Sequence, residues 1–396
     1  MPRKIDIDKS ALVVGVDGKR AVLNNTGLGN YSRYYLNIMS MAYPSTQFRL
    51  YSPANKENER LAPLLDRPNI KLFVPDIKFG PMRSWWRTID MPLQLRSDEV
   101  TIYHGLSNEL PLTIKGVCPT VVTIHDLIYR RFKGDYTAID RKLYDFKYSR
   151  SAQKATRVIA ISERTKADLI SDYDIDPDKI DVIYQGIDPI FTLPVDTAKR
   201  MAVREKYALP ERYILAVGTV QPRKNVLLAV KALGRLPQSV KLVIVGRMSG
   251  SYADEVRRYI ESHGLADRVL HPEVAFADLP AVYACAALSS YTSRYEGFGL
   301  PVVESLTVGT PVIACTGSCL EEAGGDGAIY IDPDDVDAYV EAAAHLLDDQ
   351  IYYDKTVRQG QRHVRRFTAD AFAKATMATY KKAIISELIR KKRHYS

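Results

Sequence analysis

An α/β protein of two doubly wound domains is what this chain predicts, and three observations carry that expectation. Its 396 residues exceed one Rossmann-sized unit and suit two. Short runs rich in valine and isoleucine alternate with helix-period segments from one end to the other. Several of those runs are apolar on both faces, as parallel strands covered by helices on each side must be.

Strands are expected over 11–16, 120–124, 158–161 and 180–184, then over 213–217, 241–245, 287–291, 312–314 and 328–331. Helices are expected over 138–154, 225–235, 278–286 and 335–347. The stretch 186–195, GIDPIFTLPV, breaks the pattern with two prolines and a glycine. It divides the chain into domains 1–190 and 191–367. A long last helix, 368–396, opens at Thr368 as N-cap. Ligands of such domains bind beyond the carboxyl ends of the strands, so the loops after strands are where chemistry is sought, in a cleft between two facing domains.

Composition excludes several classes. With 46% hydrophobic and 26% charged residues, the chain is neither collagen-like, a disulfide scaffold nor wholly disordered. Four cysteines, with no second Cys or His pair beside Cys315 and Cys319, point to buried or free thiols and to no metal site. The start lacks the apolar core of a signal peptide, and no apolar run is long enough to span a bilayer, so a cytoplasmic protein is expected. A net charge of +8 favours polyanionic partners, while 25 tyrosines suit sugar or base stacking.

The richest stretch is YEGFGLPVVESLTVGTPV, 295–312. It reads as a loop after a strand, then a helix with Pro301 at its first position. The loop Gly297-Phe298-Gly299-Leu300 aims backbone N–H groups at an anion, with the helix dipole behind them. Glu296 and Glu304 flank it, and a carboxylate accepting two hydrogen bonds suits vicinal hydroxyls. A second strand–loop–helix, YILAVGTVQPRKNVLLAV, places Gly218, Arg223 and Lys224 before a helix with Asn225 as N-cap. Two cations there neutralise a diphosphate and stabilise it as a leaving group.

Four further signals are weaker. Gly27 and Gly29, after the first strand, resemble a phosphate-approach loop but fail the dinucleotide fingerprint at Ser32. His125-Asp126 follows a strand, where histidine donates to substrate and Asp126 fixes its tautomer or binds sugar. Ser162 or Thr165 simply caps a helix. The basic stretches 130–157 and 381–393 suit an anionic membrane surface or a solvated helix face, and Trp85-Trp86 a lipid edge, an acceptor edge or core packing.

EGFGLPVVE, VGTVQPRKN, IHDLIYRRF and VIAISERTKADL resemble the motifs of glycosyltransferase family 4, retaining enzymes of the GT-B fold. VGTVQPRKN and the stretch 320–326 are similar to the branch of bacterial mannosyltransferases of surface polysaccharides. The resemblance implies an amino-terminal acceptor domain, a carboxyl-terminal nucleotide-sugar domain and a last helix crossing back onto the first. It gives Glu304 the nucleotide ribose and Glu296 the transferred sugar's hydroxyls. The amides of Phe298, Gly299 and Leu300 face sugar and β-phosphate. Lys224 and Arg223 hold the diphosphate, and His125 lies over the sugar. Two departures stand out: Thr219 follows Gly218 where many members have arginine, and Glu321 precedes the acid Glu322 where proline is common.

The function expected is therefore transfer of a hexose, mannose from GDP-mannose, onto a glycan or lipid-linked acceptor, with no metal and no further cofactor. The alternatives are a UDP-sugar donor of the same fold and a non-catalytic scaffold of a polysaccharide assembly complex. Scattered charge and the lack of a recognised RNA or DNA module argue against nucleic acid. Peripheral contact with the inner face of an anionic membrane is also expected.

Overall fold

The computed structural model describes residues 12–394. The chain divides into two compact units, Met1–Gln185 with Ala369–Ser396, and Gly186–Thr368. The first expected strand begins at Ala11, outside the described residues.

The first unit holds a parallel sheet of seven strands: β1 (Val13–Asp17), β2 (Gln47–Tyr51), β3 (Ile70–Phe73), β4 (Ile102–Gly105), β5 (Thr120–Ile124), β6 (Arg157–Ala160) and β7 (Ile180–Val182). Their order is β3-β2-β1-β4-β5-β6-β7. The second unit holds six parallel strands: β8 (Tyr213–Val217), β9 (Lys241–Val245), β10 (Val269–Leu270), β11 (Leu288–Tyr291), β12 (Val312–Cys315) and β13 (Ala328–Ile331). Their order is β10-β9-β8-β11-β12-β13. Each sheet reverses its order once, between β1 and β4 and between β8 and β11, and a reversal opens a crevice at the strands' carboxyl ends.

The sequence reading overlooked β2, β3, β4 and β10. Gln47, Arg49 and Lys71 interrupt the apolar runs of β2 and β3, and β4 is the short IYHG. β4 is nevertheless wholly buried because His104 finds partners for both ring nitrogens, Tyr380 Oη at 2.7 Å and Thr123 Oγ1 at 2.8 Å. A buried polar group so satisfied costs little.

Tyr380 belongs to the last helix, Ala369–His394, which packs on the first unit. Phe372, Met377, Tyr380 and Ile384 join the core of Val14, Val16, Tyr35 and Phe48. Each such large apolar side chain contributes about 1.5–3 kcal/mol on burial. Thr379 Oγ1 donates to Asp181 Oδ2 at 3.0 Å, and Lys382 Nζ lies 2.6 Å from Asp181 Oδ1. The second core gathers Ile214, Leu228, Leu242, Ile313 and Tyr339. Among the described residues, no helix is long and apolar enough to cross a membrane.

Candidate functional site

At the order reversal of the second sheet, the loop after β8 carries Gly218 and a 3₁₀ turn, Pro222–Lys224. The loop after β11 carries Ser293 and Glu296 and leads into the helix Leu300–Val308. The two loops meet on one carboxylate oxygen. Arg223 Nη1 donates to Glu296 Oε1 at 2.5 Å and to the Tyr295 carbonyl at 2.7 Å. Lys224 Nζ lies 2.6 Å from the same Oε1 and donates to Tyr291 Oη at 2.6 Å. Ser293 Oγ also donates to that oxygen. Burial alone would raise the Glu296 carboxyl, but Lys224 and Arg223 outweigh it and hold it below its ordinary value. Burial, aided by Arg223, draws the Lys224 ammonium down against the pull of Glu296.

The glycine loop is fixed from behind. Gly299 has φ 108°, and a Cβ there would lie 2.7 Å from Leu320 Cδ2, so both conformation and packing demand glycine. The Cys319 thiol donates to the carbonyls of Glu296 and Phe298, each at 3.1 Å. Phe298 is buried edge-to-face on Phe367, 5.2 Å between centroids, and Gly297 is buried beside it. Leu300 opens the helix, so Pro301 takes its second position rather than the first expected. Asn225 precedes its helix with a left-handed φ of 52° but does not cap it; its Nδ2 donates to the Pro333 carbonyl at 2.7 Å.

Glu304 lies in the second turn of Leu300–Val308, half-buried, and accepts from Tyr283 Oη at 3.4 Å. Burial, with Asp188 adding like charge, raises its carboxyl to about 7. The two acids of the motif thus sit in opposite electrostatic settings. Glu296 is a charge clamped by cations, whereas Glu304 is poised between ionised and neutral.

In the first unit, His125 follows β5. Its backbone N–H donates to Asn108 Oδ1 at 2.7 Å, and Nε2 lies 2.8 Å from the Leu106 carbonyl. The tautomer is therefore set by that carbonyl and not by Asp126, whose Oδ1 accepts from the Ile128 N–H at 3.1 Å. Burial lowers the imidazole to about 4, so it is neutral at pH 7. Gly27 and Gly29 are not a loop: they begin the helix Gly27–Ala42. The Asn24 side chain accepts from the N–H groups of Thr26 at 2.8 Å and Gly29 at 3.3 Å, an internal partner where a phosphate was expected.

Ser162 caps its helix, accepting from Thr165 N–H at 3.0 Å. Trp86 packs against the cluster of Tyr51, Met91 and Tyr103, while Trp85 is exposed. Much of the basic stretch is paired, Arg131 with Asp168 at 3.0 Å and Arg157 with Asp181 at 2.8 Å, which moderates its field. Sequence reasoning missed Ser293, Tyr291 and Cys319 around Glu296. Ser293, lying just beyond a strand end, carried a positional signal; the thiol carried none.

Residues 46–191 match Glycosyltransferase Family 4, and residues 199–363 match Glycosyl transferases group 1. The Escherichia coli O-antigen chain mannosyltransferase B is 26% identical over 378 residues, 90% of this chain and 96% of that protein. The Salmonella typhimurium O-antigen chain mannosyltransferase RfbU is 31% identical over 57% of this chain and 60% of its own. A D-inositol 3-phosphate glycosyltransferase of Salinispora tropica is 32% identical over 60% of this chain, but the match spans only 53% of that protein. Among solved structures, Anabaena HepE in complex with UDP and glucose superposes with TM-score 0.73 at 17% identity, covering 94% of this chain and all of HepE. WaaG, a glycosyltransferase involved in lipopolysaccharide biosynthesis, gives TM-score 0.67 at 17% identity over 93% of this chain and 98% of its own. Two parallel sheets with this strand order, and two family matches falling one mainly in each unit, give the chain the GT-B fold of a glycosyltransferase, with a Glycosyltransferase Family 4 domain in its first unit and a Glycosyl transferases group 1 domain in its second.

Proposed function

We propose that the chain transfers a hexosyl group, mannose from GDP-mannose, with retention of configuration, onto a glycan or lipid-linked acceptor of a surface polysaccharide. The observation that carries this reading is the convergence of Arg223 and Lys224 on Glu296 at the reversal of the second sheet. Two cations there take the diphosphate, the first-turn backbone of Leu300–Val308 adds its dipole, and Glu304 accepts from the ribose hydroxyls. The bond from the anomeric carbon to the phosphate oxygen breaks as the acceptor oxygen bonds to that carbon from the same face. The acceptor's proton passes to the departing phosphate. Glu296 Oε1 already accepts three donors, which suits it to orienting sugar and cations rather than to nucleophilic attack.

Likeness to the mannosyltransferase over nearly its whole length supports the donor sugar. Likeness to the D-inositol 3-phosphate glycosyltransferase favours a second acceptor class, a phosphorylated cyclitol. A panel of GDP- and UDP-sugars scored by released nucleotide tests the donor; turnover with UDP-sugars alone would replace GDP-mannose. Since the charge is met by Arg223 and Lys224, transfer is expected to survive EDTA; full loss restored by manganese or magnesium would overturn the metal-free reading. Exposed Phe79, Met82 and Trp85 beside Arg83 support peripheral membrane contact. Flotation with anionic liposomes at low salt tests it, and failure to float removes it.

A further inference from the structure

The residues assigned to transfer lie beyond the carboxyl ends of the strands. The first unit also holds a cavity of about 350 Å³ at the opposite, amino-terminal edge of its sheet. Thr120, which opens β5, and Ala155 and Thr156, just before β6, line it. So do the last turn of the helix Ala138–Lys154, the segment 110–118 and, on the last helix, Ser386, Glu387 and Arg390. His125 follows the far end of β5, about 16 Å away at ~3.3 Å per residue, so this cavity is remote from the loops after the strands.

The lining is rich in donors and poor in acceptors. Lys115, Arg150, Lys154 and Arg390 stand against the single acid Glu387. Glu387 is already paired with Arg390, whose Nη2 lies 2.7 Å from Oε1 and whose Nε donates to Oε2 at 3.0 Å. Arg150 Nη2 donates to the Leu112 carbonyl at 2.9 Å. Among the described residues, no carboxylate pairs with Lys115 or Lys154. Lys179 stands behind them, its Nζ donating to the Gln153 carbonyl at 2.7 Å. Burial, with Lys154 and Arg157 adding like charge against the pull of Asp176, draws its ammonium down to about 8.

Three hydroxyls add to the donors. Ser151 Oγ accepts from the Leu110 N–H at 2.9 Å, and Thr120 and Thr156 accept from each other's N–H at 3.1 and 3.0 Å. A hydroxyl that accepts from an amide keeps its own O–H to donate. Among the described residues, none of these three O–H groups finds a protein acceptor. Ser151 and Thr120 are each 4% exposed, so bulk water meets little of that need. Leu110, Leu112 and Ile114 form an apolar wall beside the donors.

We infer that this cavity binds a soluble phosphate monoester of sugar-phosphate size, its anion on Lys115, Lys154 and the hydroxyls and its carbon skeleton on Leu112 and Ile114. An excess of cations with unused O–H donors selects an anion over a neutral polyol. A phosphate monoester brings three strong acceptor oxygens, where a carboxylate brings two. The volume lies within the range of small-molecule sites, roughly 300–1,000 Å³, and exceeds what inorganic phosphate fills. Because Ser386 and Arg390 share the lining, an occupant also fastens the last helix to β5 and β6. None of these groups belongs to the diphosphate cluster of the second unit, so occupancy here does not depend on the transferred sugar.

The test is isothermal titration of the full chain with ribose 5-phosphate, inorganic phosphate and ribose. Each titration is repeated on Lys224→Ala and on the double variant Lys115→Ala with Lys154→Ala. Ribose 5-phosphate is expected to bind, more tightly than inorganic phosphate and far more tightly than ribose. The double variant should weaken it about tenfold or more, the scale of lost hydrogen bonds to a charged group, while Lys224→Ala leaves it unchanged. Both cavity lysines are exposed, so the double variant should fold, and an unaltered melting temperature without ligand checks this. Failure of any phosphate to bind, or equal binding by the double variant and the parent, would overturn the inference. So would ribose binding as tightly as its phosphate, or a loss confined to Lys224→Ala, which would move the phosphate to the second unit.

Discussion

The two order reversals carry the same ingredients, carboxylate and paired cations, yet assemble them differently. In the second unit Arg223 and Lys224 are adjacent in sequence and sit on the loop directly after β8, meeting an acid on the loop directly after β11. In the first unit only the acids lie at strand ends, Asp17 closing β1 and Glu109 following β4; Arg87, paired with both, arrives from the segment between β3 and β4, 70 residues from Asp17, and Lys147, 3.5 Å from Glu109, from the helix Ala138–Lys154. The second cluster also carries a separate acid, Glu304, raised to about 7, whereas burial in the first is met by direct pairing. A site whose cations lie on its own strand loops is local chemistry; one whose cation is imported from elsewhere also ties the fold together.

The sharpest test of that distinction is Arg87→Met. It leaves Asp17 buried without its cation and should cost about 3–5 kcal/mol in urea unfolding, with Asp17→Asn in the same chain recovering part. A loss near zero would erase the claim that the first cluster is structural. Lys224→Ala should lower the transfer rate about 10²–10³-fold, the scale of removing one transition-state donor. Released nucleotide measures it, and a decline under tenfold would break the parallel with a working diphosphate clamp.

The third test uses pH. Because the folded Glu304 carboxyl is raised from 4.5 to about 7, the native state binds its proton more tightly than the unfolded chain does. Stability from this group therefore falls as pH rises from about 4.5 to 7, and Glu304→Gln should flatten that decline in thermal melts. Nucleotide affinity should move oppositely, rising as pH passes 7, since ribose hydroxyls donate to the ionised form; an affinity flat across that window would remove Glu304 from the ribose. Glu296 and Asp17 have lowered carboxyls, so their contribution is present at neutral pH and lost as pH falls below the ordinary carboxylate range.

Smaller effects lie away from both clusters. Tyr380→Phe removes the hydroxyl shared by His104 and Tyr35 and should cost about 1–3 kcal/mol. Ser162→Ala removes one helix cap and should cost about 1 kcal/mol. Both are read by urea unfolding, and a cap loss exceeding the Tyr380 loss would contradict the view that the last helix is tied in through its buried hydroxyl.

Much of this architecture was legible in the sequence where one element alone imposes the pattern. The strands Thr120–Ile124, Tyr213–Val217, Lys241–Val245 and Ala328–Ile331 agree residue for residue with their expected ranges, because short runs rich in β-branched and apolar residues suit a covered parallel sheet. EGFGLP announced its loop because a left-handed glycine and a proline at the helix start are local demands. The same local view did not foresee that Gly27 and Gly29 open a helix, with Asn24 accepting from the N–H groups of Thr26 and Gly29, or that Asp126 Oδ1 accepts from the Ile128 N–H.

The sequence by itself determined the class of fold and the loop chemistry after β8 and β11, since period, turn residues and adjacent charges act over a few positions. Only the tertiary structure decided that His104 could lie in a buried strand, that Cys319 would fasten the glycine loop, and that Arg87 would cross to Asp17. Those outcomes depend on partners far along the chain, and the desolvation of a charge or ring nitrogen becomes affordable only once the fold delivers them.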